Sequence, residues 1–249
     1  MKDDFYNKLE PFYHLVFDNW EYSINNQAKQ IKQIFKKYTD NHIKNILDVS
    51  CGIGTQSIGL ASNGYKITAS DFSENEINRA KKEAEKRNLD ISFSVADMRY
   101  AYKHHKKEFD VVLSFDNSIP HLLNDEDILT AFKQFYLCTK HGGYCLISVR
   151  DYEKEDLTKT QIKTYGLRED KSKKYFLFQT WEFKKNICDI SMYIIEDTGS
   201  KTCKTYVMRS KYYTVTIEVL INIIKKAGFT NIQRIDNMFY QPVIIGRKV

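Results

Sequence analysis

The chain has 249 residues, 42% of them hydrophobic, and a formal net charge of +6. This size and hydrophobic content predict one substantial core with at most a small appended element. No hydrophobic run approaches the roughly 20 residues of a membrane span, and residues 1–4 lack a signal-peptide pattern. The net charge is modest for this size, so a solvated lysine-rich surface explains it better than a nucleic-acid partner does.

The cysteines indicate the redox environment. There are five, an odd number, and they are scattered over positions 51, 138, 145, 188 and 203. None belongs to a Cys-x-x-Cys pair or to a Cys/His cluster with metal-ligand spacing. We therefore expect a reduced, cytoplasmic protein without a metal site.

The first 149 residues divide into a helical start and an alternating α/β region. Residues 1–40 are rich in aromatic side chains and carry hydrophobic residues at helical spacing. Strands are predicted at 44–49, 65–70, 91–95, 109–114 and 143–149, and helices at 54–63, 74–88 and 125–139. Ser73, with Glu76 three residues later, predicts a capping box at the second of these helices. The alternation predicts a parallel sheet with right-handed crossovers.

The pattern becomes β-rich in the second half of the chain. Three antiparallel strands are predicted at 174–183, 187–195 and 202–210, followed by a helix at 216–227 and strands at 231–236 and 243–248. We interpret the β-rich part as a cover inserted after the fifth parallel strand, over the site. The predicted division is a helical lid (1–40), a core (41–150 and 214–249) and the inserted cover (151–213).

Acidic residues end the first three strands. Asp48 ends the first and is followed by Gly52 and Gly54, while Asp71 and Asp97 end the second and third. Ligands of open α/β sheets bind at these strand ends. Asp71 is placed for a ribose diol and Asp97 for an adenine amine, whereas a carboxylate at Asp48 would repel a pyrophosphate.

These features favour S-adenosylmethionine, which carries an amine and a sulfonium. Ser57 replaces the third glycine of Gly-x-Gly-x-x-Gly, which counts against a nicotinamide cofactor. The alternative is a tight turn without a ligand, and we interpret Cys51 as a packing residue whose backbone faces the cofactor. The predicted cofactor-binding residues are Asp48, Ser50, Cys51, Gly52, Gly54, Gln56, Asp71, Phe72, Ser73, Ala96, Asp97, Met98 and Phe115.

The ends of the fourth and fifth strands carry candidate substrate residues. Asn117 can orient a substrate by donating or accepting a hydrogen bond. His121 either helps to remove a proton or caps the next helix. Arg150 is suited to bidentate binding of a carboxylate, with an ion pair to Asp151 or another acid as the alternative.

Residues 48–55, 70–73 and 96–99, with the last half of the chain, resemble the class I S-adenosylmethionine-dependent methyltransferases. Residues 116–122 and 149–152 resemble the glycine/sarcosine N-methyltransferase group, in which such stretches hold the amino-acid substrate. The resemblance implies an α/β fold with a Rossmann-like seven-stranded sheet whose last strand is antiparallel. It assigns the catalytic roles to Asn117, His121 and Arg150, with Arg150 binding the substrate carboxylate.

The predicted function is methylation of an amine on a small molecule that also bears a carboxylate. Tyr13, Trp20 and Tyr22 are predicted to bind the substrate together with Asn117 and Arg150, and their aromatic segment either closes over the site or packs on the sheet as an amphipathic helix. Two alternatives stay open, an O-methyltransferase for a carboxylate or hydroxyl and a non-catalytic cofactor-binding module. Monomer and homo-oligomer also both stay open.

Overall fold

The computed structural model describes residues 4–40 and 42–249. Most of the polar N-terminus (residues 1–3) and the first residue of the predicted core (41) lie outside these ranges. The helices are α1 (Phe5–Leu9), α2 (Trp20–Tyr38), α3 (Thr55–Ala61), α4 (Glu74–Glu85), α5 (Ala101–His105), α6 (Asp125–Cys138) and α7 (Ile217–Lys226). A 3-10 helix at Glu10–Val16 follows α1, and we call residues 5–17 the N-terminal segment.

Eleven strands form two sheets within the described residues. They are β1 (Asn45–Asp48), β2 (Lys66–Asp71), β3 (Ile91–Val95), β4 (Phe109–Ser114), β5 (Thr139–Ser148), β6 (Gln161–Asp170), β7 (Lys173–Lys184), β8 (Ile187–Asp197), β9 (Lys204–Tyr213), β10 (Thr230–Ile235) and β11 (Val243–Arg247). The larger sheet has the order β10-β11-β5-β4-β1-β2-β3, in which β11 runs antiparallel to its neighbours. The predicted seven-stranded Rossmann-like sheet is confirmed.

The register of the parallel strands brings their carboxyl ends together. Asp48, the last residue of β1, pairs with Ala69 of β2 and Leu113 of β4. Asp71 at the end of β2 pairs with Val95 at the end of β3. The acidic strand ends therefore meet along one edge of the sheet, where ligands of such folds bind.

Ser73 begins α4 as its N-cap. Its hydroxyl accepts the backbone N–H of Glu76 at 3.2 Å, which satisfies a donor that has no partner inside the helix. The reciprocal half of the predicted capping box does not form, because the carboxylate of Asp71 accepts the Ser73 N–H at 2.9 Å. The side chain of Glu76 is thereby left without its capping role.

Hydrophobic clusters cover both faces of the larger sheet. On one face, α6 and α7 pack Phe132 and Leu220 against Val112 of β4. On the other, α2 packs Ile31 against Ile46 of β1. With both faces covered, the polar edge formed by the strand ends is left for a ligand.

The second sheet is antiparallel, with the order β6-β7-β8-β9. It lies in the chain between β5 and α7, as the predicted inserted cover does, but it has four strands instead of three. The sequence prediction missed β6, whose hydrophobic residues Ile162 and Leu167 are 67% and 58% exposed. A register shift between Thr164 and Gly166 also interrupts the alternation on which a strand prediction depends.

A third cluster joins the N-terminal segment to the second sheet. Phe5 and Leu15 pack there with Trp181 and Ile190. The division into lid, core and cover stays a proposal. In the described part of the chain no helix has the length and hydrophobicity needed to cross a bilayer, and all five cysteines are free.

Candidate active site

A cavity of about 400 Å³ lies at the carboxyl ends of β1, β2 and β3. We call it the first cavity. Eight of the predicted cofactor residues line it: Ser50, Gly52, Asp71, Phe72, Ser73, Ala96, Asp97 and Met98. The prediction did not include Tyr6, Glu76 and Arg99, which line it too.

Asp71 is held in place by backbone donors on both oxygens. Oδ2 accepts the Gly52 N–H at 2.9 Å and Oδ1 accepts the Ser73 N–H at 2.9 Å. Burial raises the pKa of Asp71, and these two N–H groups oppose that rise. A carboxylate has about four acceptor positions, so Asp71 retains capacity for two donors of a ligand.

Asp97 carries a positive partner that the sequence analysis did not assign. Arg99 donates through Nη2 to Asp97 Oδ2 at 2.6 Å and through Nε to both carboxylate oxygens at 3.1 Å. Nη1 of Arg99 donates to Asp127 at 3.0 Å. The carboxylate of Asp97 therefore has fewer acceptor positions left for an adenine amine than an unpaired acid would have.

The side chain of Asp48 is hydrogen-bonded to the glycine loop and to α3, and it does not line the first cavity. Its oxygens accept the Ser50 N–H at 3.3 Å and the Ser57 hydroxyl at 2.7 Å. Burial raises the pKa of Asp48 to about 7. Asp48 therefore supports a loop that borders the first cavity, and its side chain does not reach the cavity wall as the sequence analysis predicted.

Four other predicted cofactor residues also lie behind the cavity wall: Cys51, Gly54, Gln56 and Phe115. Gln56 donates to Gln27 at 2.7 Å and to Asp116 at 2.8 Å, which holds its side chain inside the fold. Phe115 packs its ring against Phe239, with the centroids 5.0 Å apart. Internal packing therefore accounts for the side chains of Gln56 and Phe115.

A second cavity, of about 350 Å³, adjoins the first. Its walls come from the N-terminal segment, α2, the ends of β4 and β5, and the second sheet. The predicted residues Tyr13, Asn117 and Arg150 line it, together with Asp116 and Trp181, to which the prediction gave no role. Tyr6 and Tyr13 line both cavities, so they stand at the junction between them.

Trp20 and Tyr22 do not line either cavity, which corrects their predicted substrate role. Trp20 donates its ring N–H to Thr55 at 2.9 Å, and Tyr22 is 67% exposed. The face of α2 toward the second cavity instead carries polar residues at helical spacing, namely Ser23, Asn26, Gln27 and Gln30. The helical spacing of these four polar residues is visible in the sequence, and the sequence prediction did not include them.

His121 lines the first cavity and contacts the junction through Tyr6. The Tyr6 hydroxyl lies 2.7 Å from Nε2 of His121. Nδ1 of His121 lies 3.5 Å from the Ser210 hydroxyl. Burial raises the pKa of Tyr6 well above its ordinary value, so the phenol stays protonated at neutral pH.

Asn117 joins the ends of β4 and β5. Its Oδ1 accepts the Arg150 N–H at 3.0 Å, and its Nδ2 donates to the Tyr152 hydroxyl at 2.9 Å. Asp116 and Asn117 have φ angles of +59° and +64°, a left-handed conformation that Asp and Asn adopt more readily than other non-glycine residues. The two residues thus form a turn that hydrogen bonds hold in place at the end of β4.

Only part of the Arg150 guanidinium has a partner. Nη1 lies 3.1 Å from Glu155 Oε1, and the guanidinium lies 4.7 Å from the centre of the Trp181 ring. Nε is buried and has no hydrogen-bond partner within residues 4–40 and 42–249. The alternative ion pair is therefore present in part, with Glu155, whereas Asp151 pairs with Arg234 at 2.7 Å.

No cluster of three or more His, Cys, Asp or Glu side chains suited to a metal ion occurs among the described residues. The predicted absence of a metal stays a prediction.

Comparison with known proteins relates part of this chain to a known domain. A family model described as a methyltransferase domain matches residues 46–143. These residues include all three strand ends that border the first cavity. Together with the relatives and the solved folds described next, this match supports a class I S-adenosylmethionine-dependent methyltransferase.

Curated methyltransferases match part of this chain. The chain is 31% identical to the glycine/sarcosine N-methyltransferase of Parasynechococcus marenigrum (strain WH8102) over 140 residues. These 140 residues are 55% of this chain and 50% of that protein. The chain spans about half the length of the curated relatives it matches. A solved methyltransferase from Clostridium acetobutylicum shares the fold over 98% of both chains, with a TM-score of 0.76 and 16% identity. Streptomyces venezuelae DesVI also shares the fold, over 99% of this chain and 98% of the DesVI chain, with a TM-score of 0.79 and 14% identity.

The first cavity fits S-adenosylmethionine. Four acidic side chains line it, Asp71, Glu76, Asp97 and Asp127, and Arg99 pairs with the last two. They suit hydroxyl, amine and cationic groups, all of which S-adenosylmethionine has, and they would repel the pyrophosphate of a dinucleotide.

Proposed function

We propose that this methyltransferase transfers a methyl group from S-adenosylmethionine to the amine of a small, amino-acid-like molecule that carries a carboxylate. The observation that carries the proposal is Arg150, whose Nε is buried and unpartnered at the second cavity among the described residues. A buried donor without an acceptor is costly, and a substrate carboxylate would satisfy it.

Bound S-adenosylmethionine supplies an electrophilic methyl group on a sulfonium. In the proposal, Asp71 accepts the ribose hydroxyls and Asp97 the adenine amine, with Ser50, Gly52, Phe72, Ser73, Ala96 and Met98 forming the rest of the wall. The chain holds the two ligands in adjoining cavities that meet at Tyr6 and Tyr13. Alignment of two reactants can contribute roughly 7–11 kcal/mol to catalysis.

The substrate would be held by its carboxylate and by its amine. Nε and the neighbouring Nη2 of Arg150 form one edge of the guanidinium, which can donate two parallel hydrogen bonds to a carboxylate. Trp181, against which the guanidinium stacks, fixes its plane. Asp116 faces the same cavity and is held by hydrogen bonds from Tyr240 and Gln56, so it offers an acceptor to the amine.

Tyr6 and His121 would move the proton that the amine loses. The Tyr6 oxygen accepts a proton from the substrate nitrogen and passes its own hydroxyl proton to Nε2 of His121, which becomes an imidazolium. This requires the His121 tautomer with its proton on Nδ1, beside Ser210. Proton transfer by a positioned side chain typically contributes 10²- to 10⁴-fold to the rate.

The similarity to the glycine/sarcosine N-methyltransferase supports an amine as the acceptor. O-methylation of a hydroxyl is the second candidate. Gln30 is compatible with it, because its Oε1 is buried at the second cavity without a partner in the described part of the chain and accepts an O–H as well as an N–H. A non-catalytic module is disfavoured, because it would need no second cavity beside the first.

The test is a screen with labelled S-adenosylmethionine and three matched sets of compounds: amino acids, amines without a carboxylate, and hydroxy acids without an amine. We expect label in the amino acids and at most a tenth as much in the other two sets. Label in the hydroxy acids alone would establish the O-methyltransferase instead. Asp71→Ala serves as the control that removes the cofactor.

A further inference from the structure

Glu76 is a buried carboxylic acid on the wall of the first cavity. It lies in the first turn of α4 and is 1% exposed. Oε1 has no hydrogen-bond partner in residues 4–40 and 42–249. Its expected capping bond to Ser73 is made by Asp71 instead. Because an unpartnered buried carboxyl group is costly, a ligand group that pairs with it would stabilise the bound state.

The position of Glu76 identifies which end of the first cavity it serves. A Cβ placed on Gly52 would lie 3.5 Å from Oε2 of Glu76 and 3.4 Å from Cε1 of Tyr13. Tyr13 borders both cavities, whereas Asp97 borders the first cavity alone. Glu76 therefore lies beside the glycine loop on the side of the junction, away from the proposed adenine end.

The groups packed around Glu76 favour its neutral form in the absence of a ligand. Burial raises the pKa of Glu76 well above its ordinary value, the charges of Asp71 and Glu10 raise it further, and Arg79 opposes them. Tyr13 also faces it, and burial raises the pKa of this phenol, so it contributes no positive charge. A cation placed in the cavity would favour the ionised carboxylate.

We infer that Glu76 is the counter-ion of the α-ammonium group at the amino-acid end of the cofactor. The inference rests on the proposed function, which places S-adenosylmethionine in the first cavity. Asp71 and Asp97 are assigned there to hydroxyls and to an uncharged amine, so the cationic end of the molecule still lacks a carboxylate. On binding, Glu76 loses its proton to solvent and the resulting carboxylate accepts an N–H of the ammonium.

Calorimetry with three ligands tests the inference without turnover. S-adenosylmethionine and S-adenosylhomocysteine both carry the ammonium, and 5′-methylthioadenosine lacks the amino-acid end. Glu76→Gln should weaken binding of the first two at least tenfold and change the third less than twofold. Glu74→Gln, an exposed acid two residues earlier on the same helix, should change none of them.

Proton release gives a second measurement, made on the wild-type protein. Titrations of S-adenosylhomocysteine in buffers of different ionisation enthalpy should show a proton released on binding, and Glu76→Gln should abolish this release. Equal weakening of all three ligands would assign Glu76 to the ribose and overturn the inference, and loss for S-adenosylmethionine alone would assign it to the sulfonium. A wild-type protein that binds none of the ligands would overturn the cofactor site itself.

Discussion

The hydroxyl of Tyr6 lies 2.7 Å from Nε2 of His121, and this bond connects the junction of the two cavities to an imidazole. Tyr6 borders both cavities, whereas His121 borders the first one. In the proposed function, the imidazole would therefore act through the phenol on a substrate in the second cavity.

Tyr6→Phe tests this connection. The variant keeps the ring and removes the hydroxyl, so we expect kcat to fall at least tenfold because the proton path is interrupted. The dissociation constant of the cofactor, measured by calorimetry, should change less than threefold. The exposed Tyr22→Phe is the control and should leave both quantities unchanged. A kcat equal to that of the wild type would remove Tyr6 from the proposed proton path.

Asp71→Ala tests the ribose site. The substitution removes the charged acceptor of two hydroxyls, each worth about 1.5–3 kcal/mol at most. Calorimetry should show cofactor binding weakened at least tenfold. Asp90→Ala, at an exposed position before β3, should bind normally. Because Asp71 also accepts two backbone N–H groups, the melting temperature must be measured alongside. Unchanged affinity in a folded variant would rule out this placement.

Arg150→Lys tests the carboxylate site. A lysine cannot donate two parallel hydrogen bonds from a rigid fork, so the KM for the substrate should rise at least tenfold. Cofactor affinity should stay nearly intact, because Arg150 borders the second cavity and not the first. The exposed Arg209→Lys is the matched control. Weak cofactor binding with an unchanged KM would assign Arg150 to the scaffold and favour the O-methyltransferase.

Asp48→Asn tests the buried acid beneath the glycine loop. The pKa of Asp48 is raised from 3.8 to about 7 in the folded protein, so the folded state binds more protons than the unfolded state between these values. The wild type should therefore lose stability as the pH rises through this window, by about 1.4 kcal/mol per pH unit from this residue. Urea unfolding at pH 5 and pH 8 should show the asparagine variant gaining relative to the wild type at pH 8. A difference independent of pH would show that Asp48 titrates normally.

The strand ends were predictable because their signal is local. Asp48, Asp71 and Asp97 each follow a hydrophobic run, and parallel strands bring such ends together whatever the rest of the chain does. The sequence analysis could not separate the wall of the cavity from the layer behind it. Whether Phe115 faces a ligand or Phe239 depends on a residue more than 100 positions away.

The substrate side was harder to predict, because the second cavity is assembled from distant segments. Trp20 and Tyr22 were favoured as aromatic residues, but α2 turns its polar stripe toward the cavity and Tyr6 closes it from α1. Strand β6 was missed although it carries Ile162 and Leu167, which face outward, and Tyr165, which packs against the third cluster. In each case tertiary packing, and not local propensity, decides which side chain faces the ligand.

Tyr6 and Tyr13 stand on one short stretch of chain, and each borders both cavities. The helix α1 within this stretch has five residues and no side-chain cap hydrogen bond, too short to be stable without its packing. A single displacement of residues 5–17 would thus open both cavities to solvent together. Exchange of the cofactor and exchange of the methyl acceptor would then both be limited by the rate at which this one segment opens.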